Sequence, residues 1–350
     1  MRALVIAVGI ACSLTSCALV QRHSSGAAKS DTLDIYFLDM MGGGSTLIVT
    51  PSGESALIDT GSLEPKNRDA ERIYKATQSA RLKQIDHLIT THFHSDHYGG
   101  ILQLSKMIPV KAFYDKGFAA PEEDRDQVPQ LAPLYQQATK GQVRQMKPGD
   151  DLPLKNDPAR PSLRLHCVAA EKKVEGFSGD IDAPVPGAEI RKADNGDNAR
   201  SIALVLTYGS FTFFAGGDIT WNVEHHLAAP KNIIGKVDLY QVTHHGMDLS
   251  NNPVLLRAIT PTVCVAMNGP RKGIQPNTFR VLRQLPSVQA IYQIHYNKQY
   301  GSEGNAPPEF IANRQDPNKG NWIKVSVNPE AGKYTVSVGA NGAKKTYLVK

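Results

Sequence analysis

Cysteine is scarce in this chain: four among 350 residues, at positions 12, 17, 167 and 264. Two of them fall in the first 17 residues, which leaves Cys167 and Cys264 for the folded part. Two cysteines make no disulfide framework. Both sit in apolar, strand-like runs, LRLHCVAA and PTVCVAM, where a cysteine behaves as a small buried hydrophobe. A single bridge between them stays open in an oxidising compartment. No low-complexity block and no short-period repeat is present. No helix-turn-helix or zinc-finger spacing is visible, and the mild basic excess, 39 − 33 = +6, is compatible with nucleic acid or an anionic surface without selecting either. The apolar run near the N-terminus, Ala3 to Ala11, is too short to cross a bilayer comfortably as a mature helix.

What is present is an ordinary soluble composition, 41% hydrophobic and 21% charged, long enough for one large domain or two small ones. The start, MRALVIAVGIACSLTSC, has a positive residue, an apolar stretch and small polar residues, the layout of a secretory signal. Leu14-Thr15-Ser16-Cys17 resembles a bacterial lipobox, whose cysteine is lipidated and becomes the new N-terminus. The expectation is a lipoprotein signal over 1–16, a small polar tether over 17–31 and one folded domain over 32–350. The product is then exported across the inner membrane and held on the periplasmic side, with outer-membrane sorting chosen because Ala18 stands where a retention aspartate would be.

Along the folded part, LDIYFLDM, STLIVT and ESALIDTG read as an antiparallel meander. Residues 66–82 hold a helix with Ala70, Ile73 and Tyr74 at helical spacing. IDHLITTH is apolar on both faces and reads as a central strand. A helix over ILQLSKMI and a strand VKAFYD follow, with a further helix near 130–140. After LRLHCVAA comes a long polar loop over 171–198, a functional type of loop in a compact domain. SIALVLTYGSFTFFAGGD is a hairpin, and WNVEHHLAA a helix. Strands VDLYQVT, PTVCVAMN and VQAIYQIH then alternate with helices, and the tail from Trp322 reads as hairpins. Two halves of this kind suggest sheets sandwiched between outer helices.

The chemistry concentrates in THFHSDHYGG, residues 91–100. His92, His94, Asp96 and His97 fall where a buried strand ends and a glycine-led helix begins. Strand ends with their following loops are where ligands gather in such architectures. Alternation puts His92 and His94 on one face while the chain is extended, and the next turn swings Asp96 and His97 to a second point nearby. Imidazole and carboxylate suit zinc and similar ions, and four ligands at this spacing fit two adjacent metals better than one. Asp218, after Gly216-Gly217, and His244-His245-Gly246 end two further strands with residues of the same type. The other histidines carry bland readings: His87 structural, His166 a core or edge residue, and His225-His226 a partly solvated helix face. His295, at a strand end, is more open. Arg200 and Lys192, near the long loop, read either as solvated loop charges or as groups that meet an anionic substrate.

T-H-x-H-x-D-H-x-G-G resembles the metallo-β-lactamase fold superfamily of metal-dependent hydrolases. The resemblance implies a four-layer αββα sandwich of the α/β class over roughly residues 33–300. It implies His92, His94, Asp96, His97, Asp218 and His244 as metal ligands, with Asp218 bridging and Asp59 structural behind the ligand turn. Asp96 is then expected to orient the attacking water, and His245 either to donate a proton or stabilise an oxyanion, or to pack behind the ligands. Two zinc ions are the expected cofactors, with manganese or iron compatible with the same donors.

The sequence is most similar to the hydrolase domain of competence-type DNA-uptake channels and its free-standing relatives. The matching segments are FLDMMGGGS, Asn198 to Ser201, Gly217-Asp218 and His244-His245-Gly246. It departs from them at Met247, where they have serine, and at Gly273 to Pro276, where a histidine is missing. The Asn198 to Ser201 stretch also lacks the histidine ligand that many superfamily members carry there, which argues against a β-lactamase proper. The expected function is hydrolysis of a phosphodiester, nucleic acid among the candidates, with the membrane met through the lipid anchor alone. Hydrolysis of another ester, amide or lactam is the alternative. A non-catalytic, metal-stabilised envelope binding protein is the alternative of a different class. Oligomeric state is not legible.

Overall fold

A computed structural model describes residues 32–64, 66–118, 128–316, 318–339 and 342–350. The expected signal and tether lie outside these residues. Strands β1 (Leu33–Phe37), β2 (Thr46–Val49) and β3 (Ser55–Ile58) form the expected meander. Helix α1 (Arg68–Ser79) leads to β4 (Ile85–Ile89), parallel to β3. The one-turn helix α2 (Ser95–Tyr98) and α3 (Ile101–Met107) come next, then β5 (Val110–Asp115), α4 (Val128–Thr139) and β6 (Val143–Gln145).

The second half opens with β7 (Leu163–Ala170), the short β8 (Lys173–Val174) and the hairpin of β9 (Ala203–Tyr208) with β10 (Phe211–Ala215). Helix α5 (Trp221–Ala228), β11 (Leu239–Gln241), α6 (Pro253–Ile259), β12 (Val263–Ala266), α7 (Pro276–Gln284) and β13 (Ala290–His295) then alternate. A short strand that the residue pattern does not announce, β14 (Ile311–Asn313), pairs with β13. The tail supplies β15 (Ile323–Asn328), β16 (Lys333–Val338) and β17 (Lys344–Leu348).

Among the described residues these strands make two sheets. Nine run in the order β17-β16-β15-β1-β2-β3-β4-β5-β6 and eight in the order β14-β13-β12-β11-β10-β9-β7-β8. The tail hairpins extend the first sheet because β15 pairs antiparallel with β1, Leu33 opposite Val327. Between the sheets Ile35, Phe37 and Ile48 meet Leu204, Phe213 and Val265, with the Phe37 and Phe213 rings edge to face at 5.8 Å. The outer face of the first sheet is covered by Ala70, Ile73 and Leu104 of α1 and α3. That of the second is covered by Val223, Leu227, Leu255, Leu256 and Leu282 of α5, α6 and α7. Each fully buried aliphatic or phenyl side chain contributes roughly 1.5–3 kcal/mol. The result is the four-layer αββα sandwich.

His87 is structural, 3.1 Å from the Tyr114 hydroxyl and 3.2 Å from Glu54. His166 pairs with Asp151 at 2.7 Å and Glu175 at 2.8 Å. His295 is inside the protein, its Nε2 2.6 Å from Asp39 Oδ1 with both side chains fully buried. His225 and His226 do not form a solvated face: they are 4% and 6% exposed. Every residue of α5 is buried, because the 171–198 loop covers what would be its outer side, with Phe177 stacked on His226 at 4.1 Å. Cys167 and Cys264 are free and buried, and burial raises the Cys167 thiol to about 12. No helix among the described residues is long and apolar enough to cross a membrane.

Glu224 sits in the middle of α5 with no exposure and accepts the Asn252 N–H at 2.7 Å. Burial raises its carboxyl to about 7 against the backbone donors that oppose the shift. The folded state therefore holds a proton here that the unfolded chain releases near 4.5. Stability from this group is complete below about pH 4.5 and is lost as pH rises through 7. Relative to Glu224→Gln, wild-type stability in urea unfolding is expected to fall by on the order of 3 kcal/mol between pH 4.5 and 8. A constant difference across that range would contradict the assignment.

Candidate metal centre

The parallel strands of both sheets point their C-terminal ends at one edge of the sandwich. Beyond β4 the chain stays extended through His94 (φ −80°, ψ 144°), and α2 then turns Asp96 and His97 back over it. Phe93, between the two leading histidines, is fully buried and packs on Tyr98 and Tyr135. Its N–H donates to Asp197 Oδ2 at 2.6 Å. Asp197 in turn binds Lys116 at 2.9 Å, both side chains having no exposure, and Lys116 also reaches Glu171 at 2.7 Å. The two ends of the 171–198 loop are thus bound to the backbone between His92 and His94. Arg200 joins the same network through Glu171 at 2.7 Å, while Lys192 is exposed.

From the second sheet, Asp218 follows β10 through Gly217, whose φ of +56° suits glycine. The Gly217 carbonyl accepts the His244 N–H at 3.0 Å. His244 and His245 both adopt left-handed backbone, φ 53° and 54°, at about 1–2 kcal/mol each. Strain of this kind collects at functional sites. Here it is held by the N–H groups of Met247 and Ile274, which donate to the carbonyls of His244 and His245 at 2.8 Å each.

One carboxylate oxygen is the focus of the site. Asp218 Oδ2 lies 3.3 Å from the Nε2 of His97 and of His245, 3.5 Å from that of His244 and 4.0 Å from that of His92. The hydrogen bonds on the far side of each ring assign its tautomer. His97 Nδ1–H donates to Asp59 Oδ2 at 2.8 Å. His245 Nδ1–H donates to the Met267 carbonyl at 3.2 Å. Ser250 Oγ gives its own proton to the Ile219 carbonyl and so accepts from His244 Nδ1 at 3.2 Å. Thr91 Oγ1 donates to Asp59 and accepts from His92 Nδ1 at 3.1 Å. Each ring therefore turns its Nε2 inward, those of His97 and His245 lying 3.1 Å apart.

Lone pairs facing a carboxylate are poor neighbours unless a cation lies among them. His92 Nε2 is buried with no hydrogen-bond partner, as expected of an atom reserved for a metal. Ligand atoms of His92, His97 and Asp218 lie within 4.8 Å of one another, as do those of Asp96, His97 and His245. His94 stands edge-on to His92, ring centroids 4.8 Å apart. Charge on His94 or His244 acts on His92. These donors fit divalent cations of the zinc type.

The electrostatics agree. Burial raises Asp218, but positive charge on His245, His97 and His244 outweighs it and holds the carboxyl well below its usual range. Burial lowers His97, but Asp218, Asp59 and Asp96 overcome this and raise it well above its usual value. Burial, aided by the His97 charge, drives His92 far down. Burial also takes His244 to about 4 against the pull of Asp218.

The structure brings all the sequence-singled residues, His92, His94, Asp96, His97, Asp218, His244 and His245, to one edge. It places His245 in the triad with Asp96 and His97, and sets His244 beside Asp218 and the Asn198 amide, 3.5 Å away. Two contributors carry no metal-ligand signature of their own. Thr91 holds both Asp59 and His92. Lys272 donates to Asp96 Oδ2 from a loop 176 residues away, a separation that no local pattern could reveal.

Residues 41–190 match the Metallo-beta-lactamase superfamily, a segment that contains His92 to His97 and ends before Asp218 and His244. None of the curated proteins matches the chain. Among solved structures it is similar to a mutant of the CmlA beta-hydroxylase, with 16% identity and a TM-score of 0.43 over 77% of this chain and 53% of that one. The chain thus spans about half the length of that protein. It is also similar to a putative metal-dependent hydrolase from Parabacteroides distasonis, with 15% identity and a TM-score of 0.41 over 76% and 96% of the two chains. A diphosphatase of the PhnP family gives 13% identity and a TM-score of 0.36 over 85% and 97%.

Asp59 touches no inward-facing donor atom, yet it fixes the His97 tautomer and, through Thr91, the His92 ring. Asp59→Asn is expected to weaken metal binding by roughly 10–100-fold in titrations of the metal-free protein. Unchanged affinity would contradict this role.

Proposed function

We propose that this chain, a metal-dependent hydrolase of the metallo-β-lactamase superfamily, cleaves a phosphodiester at the cell envelope. The observation that carries the hydrolytic part is the convergence of four Nε2 atoms on Asp218 Oδ2. Two cations would be held by these donors: His92, His94 and His244 for one, and Asp96, His97 and His245 for the other, with Asp218 available to either. Zinc is the first choice, and manganese or iron suit the same imidazole and carboxylate groups. Such cations supply Lewis acidity to a water molecule and to the charge that develops on the scissile group.

The chain's own residues do the rest. Asp59, Thr91, Ser250 and the Met267 carbonyl hold the four rings so that no reorientation is needed when charge develops. Of the two carboxylate ligands Asp96 is the one that reaches solvent, a quarter exposed where Asp218 is 4% exposed. It is the carboxylate available to orient the attacking water and take its proton. His245 spends its Nδ1–H on Met267 and turns Nε2 to the cluster, which favours a ligand role over proton donation. Asn198 occupies the stretch where many superfamily members carry a histidine ligand; here His244 stands beside it.

Support for a phosphodiester comes from the likeness to competence-type hydrolases at FLDMMGGGS, Asn198 to Ser201, Gly217-Asp218 and His244 to Gly246. Support for the envelope location comes from MRALVIAVGIACSLTSC, with lipid on Cys17. Labelled palmitate is expected to enter the wild-type protein and not Cys17→Ala; labelling of both or neither removes the anchor from this reading. The function is tested by metal content and turnover of bis-p-nitrophenyl phosphate. Wild type is expected to bind metal and turn over. Asp96→Ala combined with His97→Ala is expected to lose metal and to fall by more than about 10²-fold in rate. Metal without diester turnover would move the substrate to another ester or amide, and absence of metal would overturn the reading.

A further inference from the structure

Lys272 is a cation at the mouth of the centre with no part in the ligand set. Its Nζ bonds Asp96 Oδ2, the same oxygen that lies 3.5 Å from His245 Nε2 and 3.9 Å from His97 Nε2. The ammonium therefore occupies one side of the position at which a cation would meet Asp96, His97 and His245. Its side chain is 41% exposed, so it reaches solvent while touching Asp96, the most exposed carboxylate of the site.

The loop that carries it is firmly held. Gly269 N–H donates to the Lys272 carbonyl at 2.9 Å, and Ile274 N–H to that of His245 at 2.8 Å. The Asn297 amide binds the Gly273 carbonyl at 2.9 Å. A Cβ on Gly273, itself at φ +80°, would lie 2.3 Å from the His245 carbonyl oxygen, so the loop and the strained histidine turn fit together only with glycine there. The Lys272 stem passes within 3.3 Å of a Cβ built on Gly42. The loop is thus anchored to His245 through Ile274, and it carries the Lys272 amine to Asp96.

An ammonium and a divalent cation on one carboxylate oxygen repel each other, so a metal ion at Asp96 would weaken its hold on the amine. The displaced amine stays within reach of the same point, next to a position where a substrate oxygen would sit. A lysine there is a point charge suited to phosphate oxygens.

We propose that Lys272 is the substrate-binding cation of this site: it pairs with Asp96 while the second metal position is empty, and receives an anionic oxygen of the substrate once Asp96 is taken by metal. This rests on the metal-dependent reading of the centre, and its substrate class is an anion such as a phosphodiester. Two consequences follow from the one placement. Lys272 competes with the second metal ion, and it adds to anion affinity in the loaded protein.

The test uses calorimetry on the full folded protein with two variants, Lys272→Met and Lys272→Arg. Zinc is titrated into metal-free protein, and inorganic phosphate into the zinc-loaded protein. For Lys272→Met, the second zinc equivalent is expected to bind several-fold tighter and phosphate about tenfold weaker, with Lys272→Arg staying within about threefold of wild type for phosphate. Unchanged phosphate affinity in Lys272→Met overturns the proposal. So does weaker binding of both zinc and phosphate, which would make Lys272 a structural support. If wild type binds zinc and phosphate but turns over no diester, the preceding substrate reading fails and the assignment of Lys272 as an anion site stands on the titrations alone.

Discussion

Four imidazole nitrogens within 4.0 Å of a single buried carboxylate oxygen, Asp218 Oδ2, are the constraint on which the rest of this structure depends. Burying so many polar groups is unfavourable unless each is paired. The protein satisfies the outer nitrogen of every ring with a fixed acceptor: Asp59, Thr91, Ser250 or the Met267 carbonyl. The inner nitrogens are left to a cation. Burial lowers His92 and His244, whereas at His97 the carboxylates of Asp218, Asp59 and Asp96 overcome it and raise the ring.

The sandwich exists, in effect, to hold those nitrogens. Parallel strands β4, β10 and β11 deliver His92, Asp218 and His244 to one edge, and the apolar layer between the sheets keeps the two edges in register. Backbone accommodates the crowding at particular points. Gly44 could not carry a Cβ, which would lie 2.7 Å from His97 Nδ1. A Cβ on Gly43 would lie closer still, 2.4 Å from the Asp96 carbonyl oxygen. The left-handed turn at His244 and His245 is strained, and it is bonded on one side to Gly217 and on the other to the loop that carries Lys272. The buried Lys116–Asp197 pair and the Asp39–His295 pair do the same work at longer range, tying loops of one half to the site of the other.

Much of the site was legible in the sequence because metal ligands cluster locally. His92, His94, Asp96 and His97 occupy six positions, and Asp218 and His244-His245 each end a run that could only be a strand. The two-halves rhythm of strands and helices gave the sandwich. What could not be read was anything set by contacts across the fold. Neither the division of labour between His244 and His245 nor the burial of His225 and His226 has a local signature, since each depends on a turn or loop folding over from elsewhere. His295 ended a strand as the ligands do, yet its partner Asp39 is 256 residues away and draws it into the interior. The addition of β15 to β1 and the reach of Lys272 to Asp96 are likewise long-range facts.

The account's central claim is that two cations share Asp218. Anomalous diffraction from crystals of the zinc-loaded protein tests it directly. Two peaks about 3.5–4 Å apart, one against His92 and His244 and the other against Asp96, His97 and His245, with Asp218 between them, are the predicted result. A single peak away from Asp218, or none, would contradict it.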